Sequence, residues 1–171
     1  MSVNDFRIKD CGGLSAVPTY EWLRDDRDTS SDTVVAAGEP LKKATTAGQF
    51  VIKWVDADAV IATTQPTIGV AAQASTETAT ADGAVNVYMP LPGVIYEIRA
   101  LTVSLADTQS EIDALRGEAD IIDLTSSRYT LDTAAGDLST RALLIVGGDP
   151  TISALHVMMR SDSTVFGRAQ V

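Results

Sequence analysis

The sequence holds little of the chemistry from which most active sites are built. One cysteine, Cys11, and one histidine, His156, occur in 171 residues. A single cysteine cannot form an intrachain disulfide, and a single histidine supplies neither a His–His metal pair nor an HExxH motif. The Walker A loop, the Gly-x-Gly-x-x-Gly fingerprint and the Gly-x-Ser-x-Gly nucleophile elbow are also missing. We therefore predict a protein that is not an enzyme and that uses neither a cofactor nor a metal ion.

Basic residues and long apolar runs are equally scarce. The chain has 13 basic and 23 acidic residues, which gives a formal net charge of -10. Its one short basic pair is Lys42-Lys43, so we predict no nucleic-acid partner. No segment approaches the roughly 20 apolar residues of a membrane span, and no apolar run follows Met1, so we predict no membrane partner and no signal peptide. An acidic surface fits a soluble protein or one that docks on a basic partner.

Short segments of alternating apolar and polar residues are what the sequence does contain. Residues 85–89 alternate after the Asp82-Gly83 hairpin signal, and residues 94–99 alternate after Pro92-Gly93. Further strands are predicted at residues 50–55, 60–62, 67–72, 119–124, 128–132, 142–146 and 155–159. Many short strands at short spacing predict a mainly β fold, a small β-barrel or sandwich with one short helix and an extended N-terminal arm.

The one helix with clear end signals follows residue 107. Thr108 and Glu111 have the spacing of a capping box, and Gly117 stands where a C-terminal glycine belongs. Just before it, a long strand is predicted from Val94 to Leu105. Its apolar residues change from even to odd positions at Ala100-Leu101. We therefore predict a β-bulge or sharp bend there.

Residues 1–40 differ from the rest because they show no sustained period. We interpret them as an N-terminal arm that lies across a partner, attached to a β-barrel domain at residues 41–171. A short helix is predicted from Tyr20 to Asp26, with Thr19 as its N-cap. Trp22, beside Tyr20 and Leu23, is the best candidate for an intermolecular contact, because aromatic residues are enriched at interface hot spots. Tyr20, Trp22 and Leu23 are thus the predicted partner-binding residues.

Several polar patterns have a structural interpretation that we prefer. His156 lies within an alternating strand and is interpreted as a strand residue, and Cys11 as a bystander thiol next to two glycines. The Asp132–Gly136 segment departs from the Asp-Thr-Gly of aspartic proteases, and Asp56-Ala57-Asp58 fits a turn. The acids at positions 26, 28 and 32 lack the glycine and glutamate of an EF-hand loop and are interpreted as a solvated face.

Three segments resemble the decoration (cement) proteins of tailed-bacteriophage heads. They are Gly38–Leu41, the Ile-Gly-Val-Ala strand in Thr67–Ala71, and the hairpin segment Ala81–Val87. The resemblance covers about residues 38–105. The longer arm and the helix near 108–116 depart from the small members of that group, so no contact residues are carried over.

The resemblance implies a structural viral protein of the virion. Such a protein would bind the outer capsid surface, often as a homotrimer, and bridge neighbouring copies of the major capsid protein. It would stabilise the head because it binds the assembled state. The alternatives are a tail, baseplate or head-fibre module of a phage, or a carbohydrate-binding β-domain. On the arm hypothesis, deleting residues 1–40 leaves the barrel folded and weakens attachment.

Overall fold

The computed structural model describes residues 6–23, 34–43, 51–53, 67–76, 83–117, 121–125, 128–132, 143–161 and 164. Across these residues the chain is mainly β, with one α-helix and several antiparallel sheets. The predicted fold class is confirmed. The described strands do not close into a barrel, and their layering is compatible with the sandwich alternative.

The strands follow one another along the chain as β1 (Arg7–Cys11), β2 (Thr19–Leu23), β3 (Val34–Val35), β4 (Pro40–Lys43), β5 (Val51–Lys53), β6 (Thr67–Ala71), β7 (Ser75–Thr76), β8 (Ala84–Tyr88), β9 (Val94–Arg99), β10 (Ile121–Thr125), β11 (Arg128–Asp132), β12 (Leu143–Asp149) and β13 (Ala154–Met159). A four-stranded sheet has the order β1-β9-β13-β12, and a five-stranded sheet has the order β2-β8-β6-β4-β5. Two smaller pairs, β3-β7 and β10-β11, complete the described strands.

A bent two-stranded ribbon joins the two main sheets. β2 pairs with β8 and β1 pairs with β9, so residues 7–23 run antiparallel beside residues 84–99. At the bend the chains come very close, because a Cβ at Gly12 would lie 2.9 Å from the carbonyl carbon of Gly93. Gly12 also has φ +63°, a conformation that costs glycine nothing. This corner lets one ribbon supply an edge strand to each sheet.

Two apolar cores lie on opposite sides of the five-stranded sheet. The larger one contains the inward residues of the four-stranded sheet together with Ile112 of the helix and Leu131 of β11. The smaller one contains Val35, Leu41, Val85 and Val87, among others. β6 contributes to both cores, which explains why all five of its residues are buried.

The helix is confirmed with the ends that the sequence predicts. α1 spans Gln109–Leu115, and the Thr108 side chain and the Glu111 side chain form the reciprocal hydrogen bonds of a capping box. Gly117 follows with φ +83° and donates its N–H to the carbonyl of Ile145 at 2.8 Å. Ile112 is the buried residue of this helix, and the partly buried Leu115 also packs against the larger core, so two apolar side chains and one backbone bond hold the helix beside β12.

The prediction that the strand continues beyond Ala100 is wrong. β9 ends at Arg99, Ala100 makes an isolated bridge to Leu131, and Val103–Leu105 form a 3-10 helix. The bend is where it was predicted, but the apolar residues after it do not enter a sheet. Val103 is 57% exposed, so the alternation of 101–105 marks a surface turn and not a second strand face. Register irregularities lie elsewhere, between Ile8 and Asp10 for example.

The helix predicted from Tyr20 to Asp26 is also wrong over the part that the structure describes. Residues 20–23 belong to β2, and residues 24–26 lie outside the described residues. The aromatic residues of this segment have high β-propensity, and pairing with β8 decides the outcome over the helix start signal at Pro18-Thr19.

The domain boundary at residue 40 stays a prediction. The described segments 6–23 are strands of both main sheets and carry two core residues, Phe6 and Val17.

Candidate binding edge

Along β2, the backbone N–H and C=O groups of successive residues point alternately toward β8 and away from it. Met89 donates its N–H to the carbonyl of Pro18, which makes these two a hydrogen-bonded pair. In an antiparallel pair such positions recur every two residues, so Tyr20 and Trp22 also bond to β8. Thr19, Glu21 and Leu23 fall between them, and their N–H and C=O groups point to the outer edge of the sheet.

The register of the neighbouring strands supports this direction independently. Glu21 lies opposite Asn86, and the Asn86 carbonyl accepts a hydrogen bond from Ala72 at 2.7 Å. The backbone of Asn86 therefore faces the next strand inward and not Glu21. Among the residues that the structure describes, no strand pairs with the outer side of β2. We call the outward N–H and C=O groups of Thr19, Glu21 and Leu23 the open edge.

Two aromatic side chains hold the open edge in place from the other face of the strand. The Tyr20 hydroxyl donates a 2.7 Å hydrogen bond to the carbonyl of Ile68 on β6. The Tyr20 and Trp22 rings contact each other edge to face, with centroids 5.5 Å apart, and both pack against the smaller core. Both side chains are half-buried, so they anchor β2 to its own protein. The side chain of the third predicted contact residue, Leu23, lies outside the described part.

Burial governs the polar groups beneath this strand. It raises the pKa of Tyr20 well above its ordinary value, and the neighbouring Tyr96 adds to the effect. Burial likewise raises the pKa of Tyr96, with Tyr88 as the second cause. Both hydroxyls therefore stay protonated at neutral pH. The Trp22 Nε1 and the Tyr96 hydroxyl are buried without a hydrogen-bond partner among the described residues.

The opposite face of β2 is polar and exposed. Thr19 and Glu21 both belong to the exposed class, and Asn86 beside Glu21 is half-buried. The sequence from Glu21 to Asp28 holds four acidic and two basic residues. The open edge therefore combines backbone groups that no described strand pairs with and a negative side chain at its centre.

The β1 edge of the other sheet has a different construction. Its register shifts between Ile8 and Asp10, which is the signature of a bulge. Its Lys9 forms an ion pair at 3.2 Å with Glu97 of the neighbouring β9. The Asp10 carboxylate accepts the N–H of Gly12 at 2.7 Å and so helps fix the corner. A bulge and a lysine are two of the devices by which natural edges avoid pairing with another chain.

The remaining polar candidates form no reaction centre in the described residues. His156 Nε2 lies 3.4 Å from Glu97 Oε2 on the outer face of its sheet, in agreement with a strand residue. Cys11 is a half-buried free thiol packed against the larger core. Among the described residues, no cluster of three His, Cys, Asp or Glu side chains could hold a metal ion. Within the same residues, no helix has the length and apolarity needed to cross a membrane.

Some sequence predictions fall on residues that the structure leaves undescribed. The Asp56-Ala57-Asp58 turn and the acids at positions 26, 28 and 32 lie outside the described residues. The Asp82 position of the predicted hairpin does so as well. These predictions stay open.

The open edge itself was missed by the sequence reasoning. The alternation of Thr19-Tyr20-Glu21-Trp22 has the period of a strand with aromatic residues on one face, so it indicates the strand but not which backbone groups face outward. Comparison with protein-family models, with curated proteins and with solved structures finds no match to this chain. The case for a function therefore depends on the chain's own residues and on the segments that resemble decoration proteins.

Proposed function

We propose that this chain is a structural virion protein that decorates the outer surface of a tailed-phage capsid. It would bind as a homotrimer, bridge neighbouring major capsid subunits and stabilise the head. One observation carries the proposal: the described parts of the three segments that resemble decoration proteins are neighbours in space. They supply β4, β6 and β8, the three inner strands of the five-stranded sheet.

The contacts between these strands give the shared residues a physical reason. Leu41 lies opposite Gly69, and Val70 lies opposite Tyr88. A Cβ at Gly69 would collide with the carbonyl oxygen of Tyr88 and crowd the Val87 side chain. The glycine of the Ile-Gly-Val-Ala segment is therefore required by close strand packing. Three short motifs that depend on one another in a single sheet support the resemblance better than three separate matches.

The open edge fits a binding role for the same sheet. β2 is added to the outer side of β8, and Tyr20 and Trp22 fix it there. These two residues would act in binding by holding the edge rigid, because a preorganised surface loses less entropy when a partner docks. A protein that binds only the assembled shell stabilises that shell by mass action.

The proposal is tested by sedimentation with phage heads. Mature heads of the phage that encodes the chain are stripped of it and mixed with the purified protein, beside unexpanded proheads and fully decorated heads. We expect saturable binding to the stripped mature heads, at a ratio that matches the local threefold points, and no further binding to decorated heads. Sedimentation equilibrium of the free protein should give three times the monomer mass.

One outcome would overturn the proposal. If the protein binds neither stripped heads nor proheads, it does not decorate the capsid. Co-sedimentation with purified tails would then favour the tail or baseplate alternative, and retention on a glycan array would favour the carbohydrate-binding alternative.

A further inference from the structure

We propose that the open edge of β2 takes up an extended basic segment of a partner protein as a sixth strand of the five-stranded sheet. The inference rests on the proposed function in one respect: the second experiment below uses phage heads as the partner. The binding mode itself is carried by the backbone geometry of β2, by the contrast with the other sheet edges, and by charge.

The backbone geometry supplies the hydrogen bonds. Thr19, Glu21 and Leu23 point their N–H and C=O groups outward, since Tyr20 and Trp22 are the residues that bond to β8. Three residues at alternate positions can exchange hydrogen bonds with one extended peptide in a single register. β2 pairs with β8 at five consecutive residues without a register shift, so the outward groups are evenly spaced.

The other described edges of the two main sheets lack this combination. A register shift interrupts β1, and this strand carries Lys9. α1 packs on β12, whose Ile145 carbonyl accepts the N–H of Gly117. The residues on both sides of β5 lie outside the described part, so that edge carries no argument. Among the described edges of the two main sheets, β2 is thus the one with regular pairing and without a bulge, a lysine or a covering helix.

Charge selects the occupant. If two copies of β2 paired antiparallel about Glu21, the two Glu21 side chains would face each other, and like charges at directly opposite positions destabilise a sheet. A strand with Lys or Arg opposite Glu21 gains an attractive pair instead. The surrounding sequence is acidic and the whole chain has a net charge of -10, which favours encounter with a basic segment. The geometry and charge therefore point to a different protein with basic residues, and not to a second copy.

The first experiment measures amide hydrogen exchange by NMR on the full free chain. We expect the amides of Thr19, Glu21 and Leu23 to exchange fast, and those of Tyr20 and Trp22 to be protected by their bonds to β8. Protection of Thr19 and Glu21 in the free chain would overturn the proposal, because the edge would already be covered. Repetition at tenfold dilution would then tell a second copy, whose protection is lost, from a segment of the same chain, whose protection persists.

The second experiment compares variants in binding to stripped mature heads. Glu21→Pro removes one outward N–H and places a ring on the edge, while the bonds to β8 remain, as proline is tolerated on edge strands. We expect binding weaker by about tenfold or more, since one lost hydrogen bond and a steric block amount to at least that factor. An unchanged thermal midpoint shows that the variant is folded.

Two further variants keep the test independent of proline. Glu21→Lys reverses the central charge and Glu21→Gln removes it, so we expect the larger loss of affinity from the reversal, with roughly threefold for Gln. Ala114→Lys is the matched control for Gln, because it changes the net charge by the same amount at an exposed helix position. Affinity should not fall for this control.

The outcomes separate the two proposals. If the heads bind the wild type and all the Glu21 variants equally, the open edge is not the binding site, although the capsid function stands. If the heads bind neither the wild type nor any variant, the proposed capsid function is wrong, and so is the proposal that a capsid segment occupies the open edge.

Discussion

The edges formed by β1 and β2 come from the same short stretch of sequence and have opposite properties. Both strands lie within residues 7–23. β1 pairs with β9, and β2 pairs with β8. β1 carries a bulge and a lysine that hinder further pairing, whereas β2 is regular and presents Glu21. Position in the fold therefore does not decide whether an edge can bind. Single residues decide it, and each can be changed to test the difference.

The largest effect is expected when both edges are removed. Deleting residues 1–23 takes away two strands, the buried Phe6 and Val17, and the Tyr20–Trp22 pair. Loss of one buried Phe side chain alone costs about 3–5 kcal/mol, against a total stability of about 5–15 kcal/mol for a typical domain. We expect the truncated chain to lose cooperative thermal unfolding by circular dichroism. The arm hypothesis, by which residues 1–40 can be deleted from a folded barrel, predicts the opposite result.

A shorter deletion provides the control for that prediction. Removing residues 1–5 leaves Phe6, Val17, β1 and β2 in place and should preserve cooperative unfolding. If the 1–23 deletion unfolds with the same midpoint as this control, the two strands are not required and the arm hypothesis regains its support.

The next largest effect is expected at the corner that joins the two edges. Gly12→Ala forces a Cβ to within 2.9 Å of the Gly93 backbone, in a conformation that already disfavours alanine. Gly13→Ala has φ +85° as well, but nothing lies within 4 Å of its Cβ. We expect the Gly13 variant to lose about 1 kcal/mol of unfolding free energy and the Gly12 variant at least about 2 kcal/mol more, measured in urea. Equal losses would show that the chains do not meet closely at the corner.

Two tyrosines beneath the open edge should respond to the same substitution with opposite signs. Tyr20→Phe removes the hydroxyl that donates to Ile68, so we expect a loss of about 1 kcal/mol of unfolding free energy. Tyr96→Phe removes a buried hydroxyl without a partner among the described residues, so stability should stay unchanged or rise by about 1 kcal/mol. Urea unfolding measures both. A larger loss for Tyr96→Phe than for Tyr20→Phe would mean that the buried hydroxyl has a partner, such as an internal water.

The sequence predicts the elements whose signals are local and misses those that depend on partners. The capping box at Thr108 and the glycine at 117 define α1 without help from the fold. The alternation of residues 94–99 gives β9 its buried face, as Val94, Tyr96 and Ile98 show. By contrast, Tyr20–Leu23 carry signals for a helix start and for a strand at once, and only the presence of β8 decides between them.

Of the predicted contact residues Tyr20, Trp22 and Leu23, only Leu23 contributes its outward backbone groups to the open edge. The aromatic pair at 20 and 22 was identified as partner-binding from composition, and the structure shows both rings packed on the chain's own core. The outward groups are backbone atoms, which every residue has, so no sequence pattern marks them. Which N–H faces outward follows from the register with β8, and register is a property of two strands.

The smallest effect on stability is expected where the β1 edge is altered. Lys9→Thr removes an ion pair whose lysine side chain is 47% exposed, so we expect a loss of no more than about 1 kcal/mol of unfolding free energy. Its effect on association should be larger, because the lysine helps keep other chains from the edge. Sedimentation velocity at rising concentration should show species beyond those of the wild type. Lys43→Thr is the matched control, since Lys43 is also exposed but lies on β4, which has a neighbour on each side. If both variants sediment like the wild type, the lysine is dispensable, and the bulge between Ile8 and Asp10 is what distinguishes the β1 edge from the open edge of β2.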